Sequence, residues 1–318
     1  MELVEKKPKV SVCVMAYNQE KYIRQCLQSL VDQQTDFEFE VIVSDDCSTD
    51  GTTAIVYEFA EKYKSIVRAI VHDSNIGPYK NYQYVHQQAI GEYVAHIDGD
   101  DYALPGKLAA QVFILDQYPD VALSTHAVIV EGTARVMGNS NGLPETGSIF
   151  DLLTLGTYFV NSSSMYRRIN SFSHDNDKEI IDYYCHIEHA SKGKINLIKT
   201  PLGAYRWHPA GVSKNPNYQE RIERSYEMAF DRALELNIPS DVVEIARLAR
   251  RKSFAIARLL LGDVAGFRKK ISLETNQYKF VSRKHLALNF GRYFIFGSFV
   301  ISIFKKLVEI KINSPNDK

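Results

Sequence analysis

Three carboxylates follow an apolar run whose alternating pattern predicts a buried strand at residues 93–97. They are Asp98, Asp100 and Asp101, and Gly99 separates the first two. Carboxylates held this close together raise one another's pKa unless a cation lies among them, and a divalent metal is the usual partner. Gly99 would let the backbone approach a ligand with no side chain in the way. The pattern predicts a metal site, with a solvated turn as the alternative because Asp and Gly are common in turns.

Polar or aromatic residues also follow three earlier runs that have the pattern of strands. The four strand-like runs cover residues 9–15, 39–44, 66–71 and 93–97. Helical patterns lie between them, over residues 19–33, 52–63 and 79–89. Alternating strands and helices predict a parallel sheet covered on both faces, and such sheets bind ligands beyond the carboxyl ends of their strands. The residues expected at that edge are Ala16, Tyr17, Asn18, Asp45, Asp46, Asn75, Gly77 and the three carboxylates.

The residues of this edge disfavour two common classes of nucleotide-binding protein. No GxGxxG motif follows the first strand and no GxxxxGKS or GxxxxGKT motif occurs, which argues against a dinucleotide dehydrogenase and a P-loop ATPase. An aromatic ring, a strand-end Asp and an acidic metal site suit a nucleoside diphosphate instead. Tyr17 can cover a base, Asp45 can accept a hydrogen bond from a ring N–H, and a metal can neutralise the diphosphate.

Four segments resemble, in the same order, the motifs of family-2 nucleotide-sugar glycosyltransferases with the GT-A fold. They are SVCVMAYNQEKYIRQCLQSLVDQ, EVIVSDDCSTDGT, NIG and GEYVAHIDGDD, and the resemblance covers roughly residues 9–210. It implies an α/β fold with a Rossmann-like, mostly parallel sheet flanked by helices and followed by a C-terminal helical extension. It also implies an inverting transferase that uses Mn²⁺ or Mg²⁺.

The resemblance assigns expected roles to individual residues. Asp98–Asp100 would be the DxD element, with Asp100 as a direct metal ligand and Asp98 nearer the ribose. Lys80, just after NIGPY, is a candidate phosphate contact, with an exposed helix lysine as the alternative. The residues expected to hold the nucleotide are Ala16, Tyr17, Asn18, Glu20, Asp45, Lys80, Asp98 and Gly99.

Three residues near the nucleotide segments have structural interpretations as well. Glu20 is either a nucleotide contact or an acid that stabilises the N-terminus of a helix. Asp46 is expected to bind backbone groups within its loop. Cys47 stands where family members often have Gly, and we expect this change to be neutral provided that the backbone there keeps a negative φ.

Inverting sugar transfer needs one general base, because the acceptor hydroxyl must lose its proton as it attacks the anomeric carbon. Asp182 resembles the family's base by its position, near the start of a helical segment and ahead of the strand-like KINLI and of YRWH. The alternative for Asp182 is a helix N-terminal acid without a catalytic role. The carboxylates that compete with it for the role of base are Asp175, Asp177, Glu179 and Glu188.

Histidines supply two further predictions. The segment YRWHPAGVS, residues 205–213, resembles the family segment that closes over the diphosphate. His208 within it is a candidate metal or phosphate ligand because neutral imidazole binds metals, and an ordinary packed histidine is the alternative. His186 and His189 lie three residues apart without an HExxH motif, so we expect them to be structural.

The formal net charge of zero conceals a division of the chain. Residues 250–311 contain 14 Lys or Arg and three acids, so an anionic surface is an expected partner of this segment. An uncharged run of 12 residues, 293–304, is too short to span a bilayer but suits a membrane-interface helix. Packing on the protein body or on a second subunit of a homodimer is the alternative for 283–311. We expect a GT-A domain at 1–215 and a basic helical region at 216–318.

These observations predict a glycosyltransferase that moves a sugar from a nucleotide donor, most simply a UDP-sugar, to a saccharide or lipid-linked acceptor. The charged start MELVEKKPK and the four separated cysteines favour a reduced, cytoplasmic location, with peripheral contact at the cytoplasmic face of the inner membrane. Nucleic acid is not an expected partner. The alternative function is a nucleotidyltransferase or a non-catalytic module that binds nucleotide sugars, although the first strand is followed by AYNQE and not by a loop rich in Gly and Lys.

Overall fold

The computed structural model describes residues 7–168, 182–207, 216–260 and 263–267. The strands are β1 (Val10–Ala16), β2 (Phe39–Asp45), β3 (Val67–Val71), β4 (Tyr93–Asp98), β5 (Tyr102–Ala103), β6 (Val121–Val130), β7 (Val136–Met137), β8 (Thr146–Gly147), β9 (Met165–Arg167) and β10 (Lys194–Tyr205). The helices are α1 (Ile23–Val31), α2 (Thr52–Lys62), α3 (Pro78–Gln87), α4 (Lys107–Gln117), α5 (Ile149–Leu155), α6 (Asp182–Ala190), α7 (Pro216–Glu235) and α8 (Ser240–Leu260).

The described strands form one mixed sheet in the order β3-β2-β1-β4-β9-β6-β10-β5, with β7 beside β6 and β8 beside β10. The first four strands are parallel, whereas β9 runs antiparallel to both of its neighbours. Ala16 pairs with Asp45, and Met15 pairs with Asp98. The register therefore brings the carboxyl ends of β1, β2 and β4 to one edge, and the predicted α/β architecture is confirmed.

The central strands are buried because helices cover both faces of the sheet. Val10, Val12 and Val14 of β1 have no exposed surface. One apolar face of α1, formed by Ile23, Cys26, Leu27 and Leu30, is completely buried with them. Burial of each large aliphatic side chain contributes about 1.5–3 kcal/mol, so this packing holds the site-bearing strand ends in fixed positions.

The first helix begins four residues later than its apolar pattern predicts. The backbone N–H of Tyr22 donates to the carbonyl of Gln19 at 2.9 Å, which closes a turn before Ile23. The N–H of Gln19 donates to Oγ1 of Thr52 at 2.7 Å and so belongs to the loop network rather than to a helix. Residues 19–22 are therefore part of the site edge.

The chain divides into two compact units, and the boundary lies after Ile238. The first contains the sheet and α1 to α7, and the second contains α8. Within the second unit, Ala255 and Leu259 of α8 pack with Phe267. None of the helices in the described ranges combines the length and apolar character needed to cross a bilayer. Residues 283–311, for which a membrane or subunit contact is predicted, lie outside the described residues.

Candidate active site

Gly99 is required by contacts within the protein. A Cβ at this position would lie 2.4 Å from Oε1 of Gln19 and 2.8 Å from the carbonyl oxygen of Met15. The N–H of Gly99 donates to that same carbonyl at 2.8 Å. The absence of a side chain thus lets the turn after β4 close against the end of β1, a reason that the sequence alone does not reveal.

The loops after β1 and β2 are joined by side chain to backbone hydrogen bonds. Asn18 has a left-handed backbone, with φ of 51°, and its Oδ1 accepts from the N–H of Thr49 at 2.8 Å. Oε2 of Glu20 accepts from the N–H of Gly51 at 2.8 Å. Glu20 precedes α1, and its side chain does not cap that helix. Its nucleotide contact stays a prediction. Tyr17, which precedes Asn18, has 46% of its surface exposed.

Asp45 ends β2 with a completely buried carboxylate. Its Oδ1 accepts hydrogen bonds from the hydroxyl and the N–H of Ser48, the latter at 3.2 Å, and its Oδ2 accepts from the hydroxyl of Thr53. Each carboxylate oxygen has two acceptor positions, so Oδ2 could accept one more hydrogen bond, and because Asp45 is completely buried its contact with a base stays a prediction.

Asp46 binds backbone groups, as predicted, but these groups lie in a neighbouring loop and not in its own. Its two carboxylate oxygens accept from the backbone N–H groups of Ile76 and Gly77, at 2.7 Å and 2.9 Å. These bonds connect the loop after β2 to the loop before α3. The NIG segment is therefore positioned by Asp46.

The prediction that Cys47 is a neutral variation is wrong. Its φ is 61°, which places a residue with a Cβ in the left-handed region that favours glycine. An L-residue costs roughly 1–2 kcal/mol in that conformation, relative to the right-handed one. The Gly expected from the family resemblance suits the backbone that the loop between β2 and α2 adopts.

Replacing Cys47 with Gly is expected to raise the free energy of unfolding by about 0.5–1 kcal/mol, because relief of the left-handed strain exceeds the added flexibility of the unfolded chain. Urea denaturation measures this. Cys47→Ala is the matched control, since it removes the thiol but keeps the Cβ. A Gly variant no more stable than the Ala variant would show that the loop carries no such strain.

The three carboxylates after β4 differ in their surroundings. Oδ1 of Asp98 lies 3.1 Å from Nε2 of His96, and its Oδ2 lies 3.2 Å from the hydroxyl oxygen of Ser162. Asp101 is buried, and its Oδ2 is nearer to the same hydroxyl, at 2.5 Å, so the two carboxylates compete for one proton. Desolvation and then the charge of Asp98 raise the pKa of Asp100 to about 6. The same two causes, with the charge of Asp100, raise the pKa of Asp101 well above its ordinary value.

A buried arginine that the sequence analysis did not single out holds this acidic turn. Nη1 of Arg206 donates to the carbonyl of Asp100 at 2.6 Å, and its backbone N–H donates to Oδ1 of Asp101 at 2.9 Å. Its Nε donates to Glu131 at 2.5 Å. The guanidinium lies between the rings of Tyr22 and Tyr102, 5.1 Å and 4.8 Å from their centroids. Arg206 lies in the segment YRWH, but nothing in that segment identifies its partners.

A completely buried lysine lies beneath the cluster. Nζ of Lys107 is 2.8 Å from Nε2 of His126 and donates to the carbonyl of Ser162 at 2.8 Å. Burial lowers the pKa of Lys107 to about 7, against the opposing influence of Asp101. Lys107 and Gln111 share the buried face of α4 with Leu108. Charged or polar residues on an apolar helical face are the sequence feature that could have indicated a buried, hydrogen-bonded lysine here.

Asp182 is the first residue of α6 and is exposed. Desolvation by the surrounding protein, followed by the negative charge of Asp98, raises the pKa of Asp182 to about 6. Burial and the charges of all four acids raise the pKa of Tyr205, the last residue of β10. Asp182 therefore lies within the electrostatic field of the acidic cluster.

Among the competing carboxylates, Glu188 is buried and forms an ion pair with Arg232. This pairing gives it a structural role within α6 and α7. His186 and His189 are also buried and pack against rings, Phe159 and Tyr166 respectively, in agreement with the structural role predicted for them. Asp175, Asp177, Glu179 and His208 lie outside the described residues.

Lys80 is exposed on α3, so its phosphate contact stays a prediction.

In the described part of the chain, no three His, Cys, Asp or Glu side chains converge as the ligands of a closed metal site. Residues 132–147, a stretch rich in Gly, Asn, Pro and Thr, contain the two short strands β7 and β8, which join it to the sheet.

The sequence profile of Glycosyl transferase family 2 matches residues 11–171, half of the chain. An uncharacterised protein of Mycobacterium tuberculosis, Rv1520, is 36% identical over 211 residues, which are 64% of this chain and 60% of that protein. The Staphylococcus aureus poly(ribitol-phosphate) beta-N-acetylglucosaminyltransferase TarS is 44% identical over 119 residues, 36% of this chain and 20% of TarS. The matches thus span less than two thirds of either relative.

Solved structures share the fold. TarS 1-349 in complex with UDP-GlcNAc superposes with a TM-score of 0.65 at 22% identity, over 83% of this chain and 80% of that structure. A Pyrobaculum calidifontis mannosyltransferase with GDP-Man and Mn²⁺ superposes with a TM-score of 0.55 at 17% identity, over 99% of this chain and 89% of that one. Together with the profile match, these results confirm the predicted resemblance: the chain has the GT-A fold and belongs to glycosyl transferase family 2.

Proposed function

We propose that this chain is an inverting, metal-dependent glycosyltransferase that transfers a sugar from a nucleoside-diphosphate donor to a saccharide or lipid-linked acceptor. The observation that carries the proposal is geometric: parallel pairing of β1 with β2 and β4 brings Ala16, Asp45 and the acidic turn that follows Asp98 to one edge of the sheet. After desolvation, the charge of Asp98 is the next cause that raises the pKa of Asp182, which supports a base beside the same edge. A donor site and a base that share one edge are what displacement at an anomeric carbon requires.

The acidic turn would hold the donor diphosphate together with Mn²⁺ or Mg²⁺. Carboxylate oxygens suit both ions, and Mg²⁺ is commonly held by one or two carboxylates plus substrate phosphates. Asp100 would be the direct ligand and Asp98 would lie nearer the ribose. Desolvation and then the negative charge of Asp98 raise the pKa of Asp100, and a bound cation would offset that charge. When bound, the metal would supply positive charge that stabilises the departing diphosphate.

The residues of the first two loops would hold the nucleoside. Exposed Tyr17 would cover the base, and Asp45 would accept a hydrogen bond from its ring N–H. Asn18 and Glu20 would keep the two loops together around it. The support for a UDP-sugar as donor is that TarS, which shares the fold, was crystallised with UDP-GlcNAc.

Asp182 would remove the proton from the acceptor hydroxyl. A carboxylate with a pKa of about 6 is ionised at neutral pH and is a stronger base than an ordinary aspartate. Position supports this role, since Asp182 begins α6 as an exposed residue and the charge of Asp98 contributes to its raised pKa.

The acceptor would belong to a bacterial surface polysaccharide, because the TarS relative modifies poly(ribitol-phosphate). We further propose a catalytic domain at 1–215 and a basic helical region at 216–318. Through 283–311 this region would bring the enzyme to the cytoplasmic face of the inner membrane, or would join two subunits as a homodimer. The excess of basic residues between 250 and 311 supports these assignments.

Thermal unfolding with nucleotide sugars tests the proposal. UDP-sugars with Mn²⁺ are expected to raise the unfolding temperature by several degrees at 100-fold excess over Kd, equivalent to about 2.7 kcal/mol of stabilisation. GDP- and ADP-sugars in the same assay establish the base preference. Slow release of UDP from the preferred donor without an acceptor would then separate a transferase from a protein that only binds nucleotide sugars. Failure of every nucleotide sugar to shift the transition would contradict the proposal.

A further inference from the structure

A chain of polar rings, buried at His96 and Tyr166 and partly buried at His86, lies behind Asp98. His96 of β4 is 1% exposed, and its Nδ1 is 3.0 Å from Nε2 of His86 on α3. Nδ1 of His86 is in turn 2.8 Å from the hydroxyl of Tyr166 on β9. With the 3.1 Å contact between His96 and Asp98, three ring side chains connect the site edge to the interior. We call Tyr166, His86 and His96 the His–Tyr chain.

Aromatic packing restricts the rings of the His–Tyr chain. Tyr82 stacks on His86 with centroids 4.0 Å apart and also contacts His96 at 5.1 Å. Tyr166 lies nearly parallel to His86 and stacks on His189 of α6 at 4.0 Å. Rotation of any one imidazole would break ring contacts as well as hydrogen bonds. The chain is therefore held in one arrangement from two sides.

The carboxylate of Asp98 sets the direction of these hydrogen bonds. An ionised carboxylate only accepts, so His96 donates from Nε2. In a neutral ring the other nitrogen of His96 then accepts from Nε2–H of His86, whose own Nδ1 accepts from the hydroxyl of Tyr166. Each donor has one acceptor along this path, and every neutral ring is satisfied on both nitrogens.

Asp98 is fixed from two directions while one side stays open. His96 contacts Oδ1, and the hydroxyl of Ser162 contacts Oδ2 and accepts from the Asp98 backbone N–H at 3.1 Å. The Asp98 side chain nevertheless keeps 38% of its surface exposed. A carboxylate held on its inner side and open on its outer side is prepared for a ligand.

We propose that the His–Tyr chain is a positioning device that holds the Asp98 carboxylate in the orientation needed to bind the nucleotide-sugar donor. The inference rests on the proposed function and goes beyond it, because these three residues touch neither donor nor acceptor in that scheme. They act through Asp98, as hydrogen-bond partners behind a ligand commonly do, and loss of such partners costs about 10–100-fold in affinity or activity.

Tyr166→Phe tests the inference because it removes one hydroxyl and keeps the ring stack. We expect kcat/KM for the donor to fall about 10-fold, with the acceptor KM unchanged. His86→Phe, which removes both nitrogens, is expected to cost at least as much. Tyr93→Phe is the matched control, since it removes a buried hydroxyl bonded to Asp116 at 2.5 Å on the same strand, at the end remote from Asp98.

Nitrogen NMR of labelled histidines supplies a readout that does not need activity. Wild-type protein is expected to show a proton on Nε2 of both His96 and His86, and Tyr166→Phe should shift the Nδ1 resonance of His86. A His96 protonated on Nδ1 would overturn the hydrogen-bond directions. Equal donor kinetics in Tyr166→Phe and Tyr93→Phe would overturn the positioning role. A wild-type protein that binds no nucleotide sugar would refute the proposed function itself, a distinguishable outcome.

Discussion

Replacing Asp182 with Asn is expected to lower kcat about 10³-fold while donor affinity stays within a factor of two or so, because general-base catalysis is worth roughly 10²–10⁴ and an amide cannot accept the proton. Asn keeps the size and helix position of Asp182. Steady-state turnover and donor binding by calorimetry, measured on the same preparation, separate the two effects.

A control distinguishes the base from a helix-terminal acid. Asp151 occupies a comparable position in α5, where it forms a capping box with Ser148. Asp151→Asn is expected to reduce stability by about 0.5–2 kcal/mol and to leave kcat unchanged. Retained turnover in Asp182→Asn, with loss in a variant of Asp175, Asp177 or Glu179, would transfer the role of base to that residue.

The pH profile gives an independent check on Asp182. The base works only when deprotonated, so activity is present above its pKa and is lost as the pH falls. With a pKa of about 6, kcat should decrease tenfold per unit below about pH 6. Residual turnover of Asp182→Asn should lack this acid limb. If the acid limb of the kcat profile persists in Asp182→Asn, the loss of activity at low pH comes from the titration of a different group.

Replacing Asp100 with Asn is expected to lower donor kcat/KM by at least about 100-fold, since the change removes the carboxylate proposed to hold the metal and leaves the diphosphate charge uncompensated. The backbone carbonyl that Arg206 contacts is retained, so the turn should stay folded. Mn²⁺ titration in the presence of UDP, followed by electron paramagnetic resonance, measures the metal directly.

Asp116→Asn is the charge-matched control for Asp100→Asn, because it also removes one negative charge. The Asp116 side chain contacts Lys9 and, at the start of β4, Tyr93. The Asp116→Asn variant should leave Mn²⁺ affinity unchanged. The pKa of about 6 for Asp100 also predicts the direction of the pH dependence. Because protonation competes with metal binding, the Mn²⁺ affinity of wild-type protein should decrease as the pH is lowered through about 6. Equal Mn²⁺ affinity in wild-type and Asp100→Asn proteins would exclude Asp100 as a ligand.

Local pattern was sufficient to predict the parallel half of the sheet and the edge at which its strand ends meet, whereas the GT-A fold was predicted from the family resemblance. Alternating strands and helices place Ala16, Asp45 and Asp98 at strand ends, and parallel pairing brings such ends together. A backbone-binding role for Asp46 could also be predicted, since Asp side chains commonly bind backbone groups, but its partner Ile76, 30 positions along the chain, could not.

Features that depend on long-range packing could not be predicted in this way. The φ of Cys47 follows from how its loop meets neighbouring segments, and no residue type nearby announces it. His86 and Tyr166 are 80 positions apart, and nothing in either segment indicates the other. Lys107 was detectable in principle as a charge on an apolar helical face, but its partner His126 becomes evident only once α4 and β6 pack together.

The contacts of Arg206 have a consequence for how the molecule is assembled. Its hydrogen bonds reach Asp100 and Gln25, 106 and 181 positions earlier in the chain. Contacts of such sequence separation form late, because a long loop must close before they can be made. During synthesis the loops after β1 and β2 and the acidic residues emerge well before Arg206 does. The acidic turn is therefore held by all of its contacts only once β10 has docked, and the proposed donor site would be complete only at that stage.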